Sequence, residues 1–249
     1  MRRSLLLSIP FVLGGAGALT AQSIADRVNA VRDGVVRMSF SSRPGVCGDG
    51  MGSVWTRNAR SDTWRACVSG PIRVAIGRDN GSTISVRTRV GGQWSASASE
   101  TDLGQVSPED AARYFLRLTR ELSGGGRNAN DAMTAAVFAD AGDISPELAG
   151  LVRDRDVALE TRKQALFWFG QGDAPTKTLV GLYDNLDAQS LREHFTFVVS
   201  QRRDNEAIDK LIDIARGDRD SDVRKQAMFW LGQTKDPRAI KFFHDILVP

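Results

Sequence analysis

Between residues 223 and 247 apolar side chains recur at helical spacing, interrupted once. On a wheel of about 100° per residue, Val223, Ala227, Trp230 and Leu231 fall in one arc, and Lys225 and Phe229 fall opposite. Gly232 follows, where a left-handed residue would close the helix. Asp236 and Pro237 then supply an N-cap acceptor and a first-turn residue whose missing N–H costs nothing. A second helix is predicted from there, with Ala239, Ile240, Phe243 and Leu247 at helical spacing. Two such helices cannot cover their own apolar faces, so they need a neighbour of the same shape.

The chain supplies that neighbour by repetition. TRKQALFWFGQ at 161–171 is nearly the text of VRKQAMFWLGQ at 223–233, and LREHFTFVVSQ at 191–201 keeps the Arg in second place, the apolar run and the closing Gln. The steps are 30 and 32 residues. A fourth copy lies 30 residues before Thr161, where DAMTAAVFADAGD keeps the Ala, the apolar cluster and the terminal Gly-Asp. Self-similarity at about thirty residues predicts stacked helix pairs, a solenoid with one continuous core.

At these residues the chain resembles HEAT repeats of the short, phycobilisome-lyase-like kind, whose pattern is roughly VRxxAxxALGxxGDPRAxxxL. DVRKQAMFWLGQTKDPRAIKFF at 222–243 follows it, with bulky residues where the family usually has Ala or a charge. The resemblance covers about Asp131 to Leu247. It implies an α-solenoid that serves mainly as a binding scaffold and only occasionally as part of an enzyme.

Upstream the period changes. After SIADRVNAVRDG, which places Ile24, Val28 and Val31 on one helical face with Gly34 as a stop, come β-favouring runs: VVRMSF, WRACV, and the pair PIRVAIGRDN and GSTISVRTRV. In that last hairpin Ile72, Val74 and Ile76 alternate inward, as do Ile84, Val86 and Val90. Direct pairs should therefore sum to an even number. Pairing Ile76 with Ile84 leaves Asp79, Asn80 and Gly81 as a three-residue loop with Gly81 at positive φ. A two-residue Asn80-Gly81 turn would break that parity.

The Ser-rich stretch GQWSASASETDLGQV marks a boundary between a small β-rich unit at 22–105 and the helical array at 106–249. Ser107, Pro108 and Asp110 then begin a helix with Ala111, Tyr114, Phe115, Leu118 and Leu122 on one face, read as the cap of the solenoid. The fold class expected is thus α+β, mainly helical.

Arg2 and Arg3 precede the apolar run LLLSIPFVLGGAGAL, which is short for a membrane span and ends in small residues. This pattern is a secretory signal, with cleavage placed after Ala21; a retained anchor is the alternative. Export would put the chain in the periplasm or outside the cell. It also makes Cys47 and Cys67, the only cysteines, an expected disulfide pair, with two free buried thiols as the alternative.

Charge changes the picture little. The formal net charge is +3, but the β-rich unit has eleven Arg and no Lys against seven acids, whereas the helical region is net acidic. Arg73, Arg87 and Arg89 are the outward alternates of the hairpin. They are not interleaved with stacking aromatics, so nucleic acid is not an expected partner. No HExxH, GxSxG or phosphate-loop spacing occurs, and His194 and His244 belong to different repeats. The acidic run Asp218, Asp220, Asp222 lacks the Gly and Glu of a calcium loop and is read as helix capping. GVCGDGMG at 45–52 is read as a disulfide-anchored turn. No catalytic residue, cofactor or metal is expected.

One feature stands outside the repeat pattern. Phe167, Phe197 and Phe229 occupy the same place in three successive first helices, on the side away from the core arc, flanked by Lys163 and Lys225. These five residues are the candidate surface for a protein partner. The function expected is an exported, non-enzymatic scaffold. An enzyme subunit related to the HEAT-repeat lyases, or an envelope protein binding an anionic polymer through its arginines, are the alternatives.

Overall fold

A computed structural model describes residues 22–49, 54–56, 67–93 and 100–248. The proposed signal segment lies outside them. The chain begins with α1 (Ile24–Asn29), whose N-cap Ser23 and Asp26 form a reciprocal capping box. This helix ends before Val31, and Gly34, at φ 113°, instead opens the first strand.

Among the described residues six strands follow: β1 (Gly34–Phe40), β2 (Val46–Gly48), β3 (Val54–Thr56), β4 (Ile72–Asp79), β5 (Ser82–Val90) and β6 (Glu100–Gln105). Four make one sheet in the order β5-β4-β1-β6, antiparallel except for the β1/β6 pair. Strand β6 falls inside the stretch read from its composition as a boundary. A parallel edge strand needs backbone donors and acceptors more than bulky side chains, and β6 is largely exposed. Strands β2 and β3 pair separately, and Val68 bridges to Gly48. Cys47 lies on β2 rather than in a turn, and it is bonded to Cys67 with Cα atoms 5.1 Å apart. Of the WRACV run, Trp64 to Ala66 lie outside the described residues.

The β4/β5 hairpin corrects the expected register. Ile76 faces Val86, not Ile84, and the turn is the two-residue Asn80-Gly81 pair with φ of 49° and 79°. Both parity rules hold at once because a bulge separates them: Asp79 faces Ser82 and Arg78 faces Thr83, then the register shifts and Gly77 faces Ser85. Ile84 is the extra residue, 58% exposed, and its insertion restores Val86 and Val90 to the core face. Strict alternation without a bulge excludes the turn that Asn-Gly favours.

Nine helices follow in sequence: α2 (Pro108–Glu121), α3 (Arg127–Phe138), α4 (Ser145–Arg153), α5 (Leu159–Gln171), α6 (Thr176–Val180), α7 (Gln189–Ser200), α8 (Asn205–Gly217), α9 (Ser221–Gly232) and α10 (Pro237–Leu247). The odd-numbered members α3, α5, α7 and α9 touch in succession. The even-numbered α2 and α4 touch behind them, as do α6, α8 and α10. Buried residues recur at the repeat spacing, as Ala165, Phe195 and Ala227, and again as Phe169, Val199 and Leu231. Gly232 is not left-handed; it ends α9 in helical geometry, with Gln233 as an αR cap.

Sheet and helices share one core rather than two. The buried face of the sheet, including Met38, Phe40, Val74 and Ile76, packs toward α2 and α3, with the Phe40 and Phe115 rings 5.8 Å apart. Asn128 on α3 clasps β5, accepting from the Val86 N–H at 3.2 Å and donating to the Ile84 carbonyl at 3.0 Å. The sheet therefore closes one end of the helical array.

Candidate functional site

The helical half carries an interior ladder of arginines built by the repeat. Arg162 and Arg192, in second place in their motifs, are buried despite their charge. Arg162 donates to the Val152 carbonyl at 2.9 Å and to Asp187 at 2.6 Å, in the loop before the next first helix. Arg192 repeats the move, reaching Asp218 at 3.1 Å, Asp220, and the Leu186 and Asp187 carbonyls. Arg224 donates to loop carbonyls, those of Asp218 and Arg219.

This ladder absorbs the acidic run. Asp220 stands at the N-cap of α9 but makes no capping hydrogen bond, because its carboxylate is spent on Arg192. The Arg162 guanidinium holds Asp187 below the usual carboxylate range. For Asp218 burial pulls upward, and the Tyr183 hydroxyl at 2.5 Å, the Asp220 amide and Arg192 together outweigh it, leaving it depressed as well. Burial and Asp218 push the Tyr183 hydroxyl far up, so it remains a donor. The 30-residue spacing of Arg162 and Arg192 was visible in the sequence; what hid the ladder is that each arginine meets an aspartate of a different unit. Among the described residues no group of three or more His, Cys, Asp or Glu is arranged to hold a metal ion.

The three phenylalanines do lie along successive first helices, but unequally. Phe167 and Phe197 stack in parallel, ring centroids 6.5 Å apart and planes 2° apart, and both are half-buried. Phe229 alone is open, 54% exposed. Two tryptophans complete the line, Trp168 and Trp230, the second of which the wheel had assigned to the core. Trp168 lies 5.2 Å from Phe138 and 5.1 Å from Phe167, and Trp230 lies 5.3 Å from Phe197 and 5.0 Å from Phe229. The signal for them was the repeated Phe-Trp pair at 167–168 and 229–230.

His194 sits against this line with its ring 5.9 Å from Phe197, and burial, then the Lys163 charge, push its pKa down, so the ring is neutral at pH 7. The flanking lysines are tied locally, Lys163 to Glu160 at 2.9 Å and Lys225 to Asp222 at 3.0 Å. The surface is thus an aromatic band with a neutral polar edge. It suits an apolar contact and supplies no nucleophile or acid–base pair.

A second candidate is the outer face of the sheet. Arg73 lies directly opposite Arg89, and Ala75 opposite Arg87, while the next strand adds Arg37 opposite Ala75. Arg37 is paired with Glu100, but among the described residues no carboxylate reaches Arg73, Arg87 or Arg89. Like charges opposed across a ladder destabilise it modestly. A cavity of about 300 Å³ opens over this face, lined by Arg37, Arg87, Arg89, Gln93 and Glu100. A larger cleft of about 760 Å³ lies where α1, α2 and α4 meet, with Arg27, Arg113, Arg117 and Arg120 over Tyr114 and Leu151. Most of its cations are already engaged: Arg27 with the Leu103 carbonyl, Arg113 with Asp110 and Arg120 with Asp154.

Compared with protein-family models, with curated proteins and with solved structures, the chain matches none of them.

Proposed function

We propose that the protein is an exported, non-enzymatic scaffold whose helical half is a HEAT-like solenoid presenting a protein-binding surface. The observation that carries the reading is the aromatic band: rings from three successive first helices align along one side of the array, with Phe167 stacked on Phe197. Support for the solenoid comes from the succession of α3, α5, α7 and α9 and from arginines that tie each unit to the loop of the next. The Cys47–Cys67 bond supports a location outside the reducing cytosol. No helix among the described residues is long and apolar enough to cross a membrane. The partner this surface fits is a protein with an apolar contact patch, since the lysines beside the band are already paired.

A photo-crosslinking residue in place of Lys163, at the rim of the band, tests this in envelope extracts. The expected result is one adduct with a different protein, stable to about 0.5 M salt because screening does not weaken apolar contacts, and lost in Phe167→Ser. Turnover of a small molecule by the purified protein, or adducts only from the sheet face, would overturn the reading. The opposed Arg73 and Arg89 favour a second one, binding of an anionic polymer. That interaction would be captured from position 87 instead and would weaken steeply with salt.

A further inference from the structure

We propose that the outer face of the sheet is a binding site for phosphate groups carried in succession on one ligand, seated between β1 and β5 and continued over β5 toward α3. The inference rests on the second reading above, an anionic ligand for this face, and gives that ligand a chemistry.

The face is shaped as a trough. Across the sheet Arg37, Ala75 and Arg87 share one row, and Val35, Gly77 and Ser85 share the next. In these two rows the central strand contributes only Ala75 and Gly77, while arginines stand on the strands to either side. A Cβ added at Gly77 would come within 2.4 Å of Ser85 Oγ, so glycine is what lets that hydroxyl lie across β4. The result is the cavity of about 300 Å³, floored by small side chains and backbone and walled by guanidinium groups. A second hollow of about 540 Å³ shares Ser85, Arg87 and Arg89 with the first and runs on to Arg127 and Asn128 at the start of α3. Arg87 and Arg89, about 7 Å apart along the strand, serve both.

The charge in the trough is unbalanced. Its two hollows hold Arg37, Arg87, Arg89 and Arg127 against Glu100 and Asp131, four cations to two carboxylates. Glu100 is engaged by Arg37, and Asp102, opposite Arg37 on β6, turns its carboxylate back onto the Gly104 N–H at 2.8 Å. Among the described residues no carboxylate forms an ion pair with Arg87, Arg89 or Arg127. One row along, Arg73 faces Arg89 directly, and its Nε is closed off from solvent without a hydrogen-bond partner. Like charges opposed in this way are unfavourable until an anion joins them. A carboxylate carries one charge and is satisfied by a single guanidinium fork. A phosphate group carries close to two charges and three terminal oxygens, so it suits cations that approach from β1 and β5 at once. The exclusive use of arginine in the β-rich unit, eleven Arg and no Lys, fits the same ligand, because the planar fork binds phosphate through two hydrogen bonds where an ammonium is a point charge. Two hollows joined by shared arginines take two such groups in succession.

Calorimetric titration of the purified protein, with its Cys47–Cys67 bond intact, tests this with inorganic phosphate, tripolyphosphate, long-chain polyphosphate and polyglutamate. Tripolyphosphate should bind at least about tenfold more tightly than inorganic phosphate, because its linked groups fill both hollows. Polyglutamate should bind at least about tenfold more weakly than polyphosphate of matched charge, having one fork-sized group where the site takes a trivalent acceptor. Arg87→Gln and Arg89→Gln should each weaken tripolyphosphate binding at least about tenfold. Neither should lower the melting temperature of the ligand-free protein, since each removes one of the crowded like charges, whereas loss of a merely structural arginine would lower it. Should either variant melt early, Gln93→Glu, at an exposed position lining the first hollow, reads the same site by repulsion. Arg113→Gln on α2 is the control and should leave binding as it is. Polyglutamate binding as tightly as polyphosphate would overturn the phosphate assignment and leave an anionic polymer as the ligand of this face. Long-chain polyphosphate binding no tighter than tripolyphosphate would keep the phosphate site and remove the polymer. Absence of binding by all four probes, or binding unchanged by Arg87→Gln and Arg89→Gln, would overturn both. Phe167→Ser should alter none of these titrations, so the scaffold reading fails separately.

Discussion

The two halves of the molecule use arginine in opposite ways. In the helical half Arg162 and Arg192 are buried, and each meets a carboxylate from a loop of the next unit. On the sheet Arg73 lies across from Arg89, with Arg87 two places along the same strand, and among the described residues no carboxylate reaches them. The helices thus depend on charge pairing for the alignment of their units. The sheet unit relies instead on its apolar face and on the Cys47–Cys67 bond. An arginine is structural where a backbone loop offers it acceptors that water cannot reach, and available for contact where it stands on a solvated strand.

The largest expected effect comes from breaking the ladder. Arg192→Ala strands Asp218, Asp220 and two loop carbonyls, and losing one partner of a buried ion pair costs about 3–5 kcal/mol. Arg87→Ala on the sheet should stay within about 0.5 kcal/mol. Urea denaturation of both variants checks the contrast; equal effects would erase the distinction between the halves.

Next in size is the covalent staple. Cys47 and Cys67 are separated by 20 residues, and the chain-entropy account assigns a loop of that length roughly 3 kcal/mol. Reduction, or replacement of both cysteines by Ala, should lower stability by that order. The helices rest on the sheet through the Phe40–Phe115 contact and the Asn128 clasp, so the loss should appear in helical and sheet signals together. Two separate transitions would instead show that the shared core does not couple them.

The smallest effect is an acid dependence. Asp187 and Asp218 titrate below the ordinary carboxylate range when folded, so the folded state favours their ionised forms. Their stabilisation is complete above the ordinary value of about 4 and is lost as pH falls through the depressed values. The melting temperature should therefore drop in acid below about pH 4, and Arg192→Ala should flatten that drop because one of the two carboxylates has lost its cation. An unchanged acid slope in the variant would mean that the ladder does not set it.

How much of this was legible depends on how local the cause is. Ser107 announces its helix because an N-cap acts within three residues, and that cap is present. The parity of the hairpin was readable from alternation, whereas the bulge at Ile84 was not, since nothing local distinguishes an apolar residue that faces the core from one pushed out. The phenylalanine stripe was found as a pattern, but at least two of its rings were expected to stand open, and of the three only Phe229 does. Its exposure is set by whether a neighbouring helix brings a ring against it, as Trp230 does for Phe197.

By itself the sequence determined the helix pairs, their thirty-residue recurrence, the inward side of β4 and the cysteine pair, because a period of 3.6 or 2 and a capping residue act over a few bonds. Only the tertiary structure decided which aspartate each arginine meets, which strand runs beside β1, and which rings of the aromatic band are covered. Those outcomes depend on what a distant segment brings into contact: Phe197 and Phe229 occupy matching sites in their helices, and Phe197 is half-buried with the Trp230 ring 5.3 Å away while Phe229 is exposed.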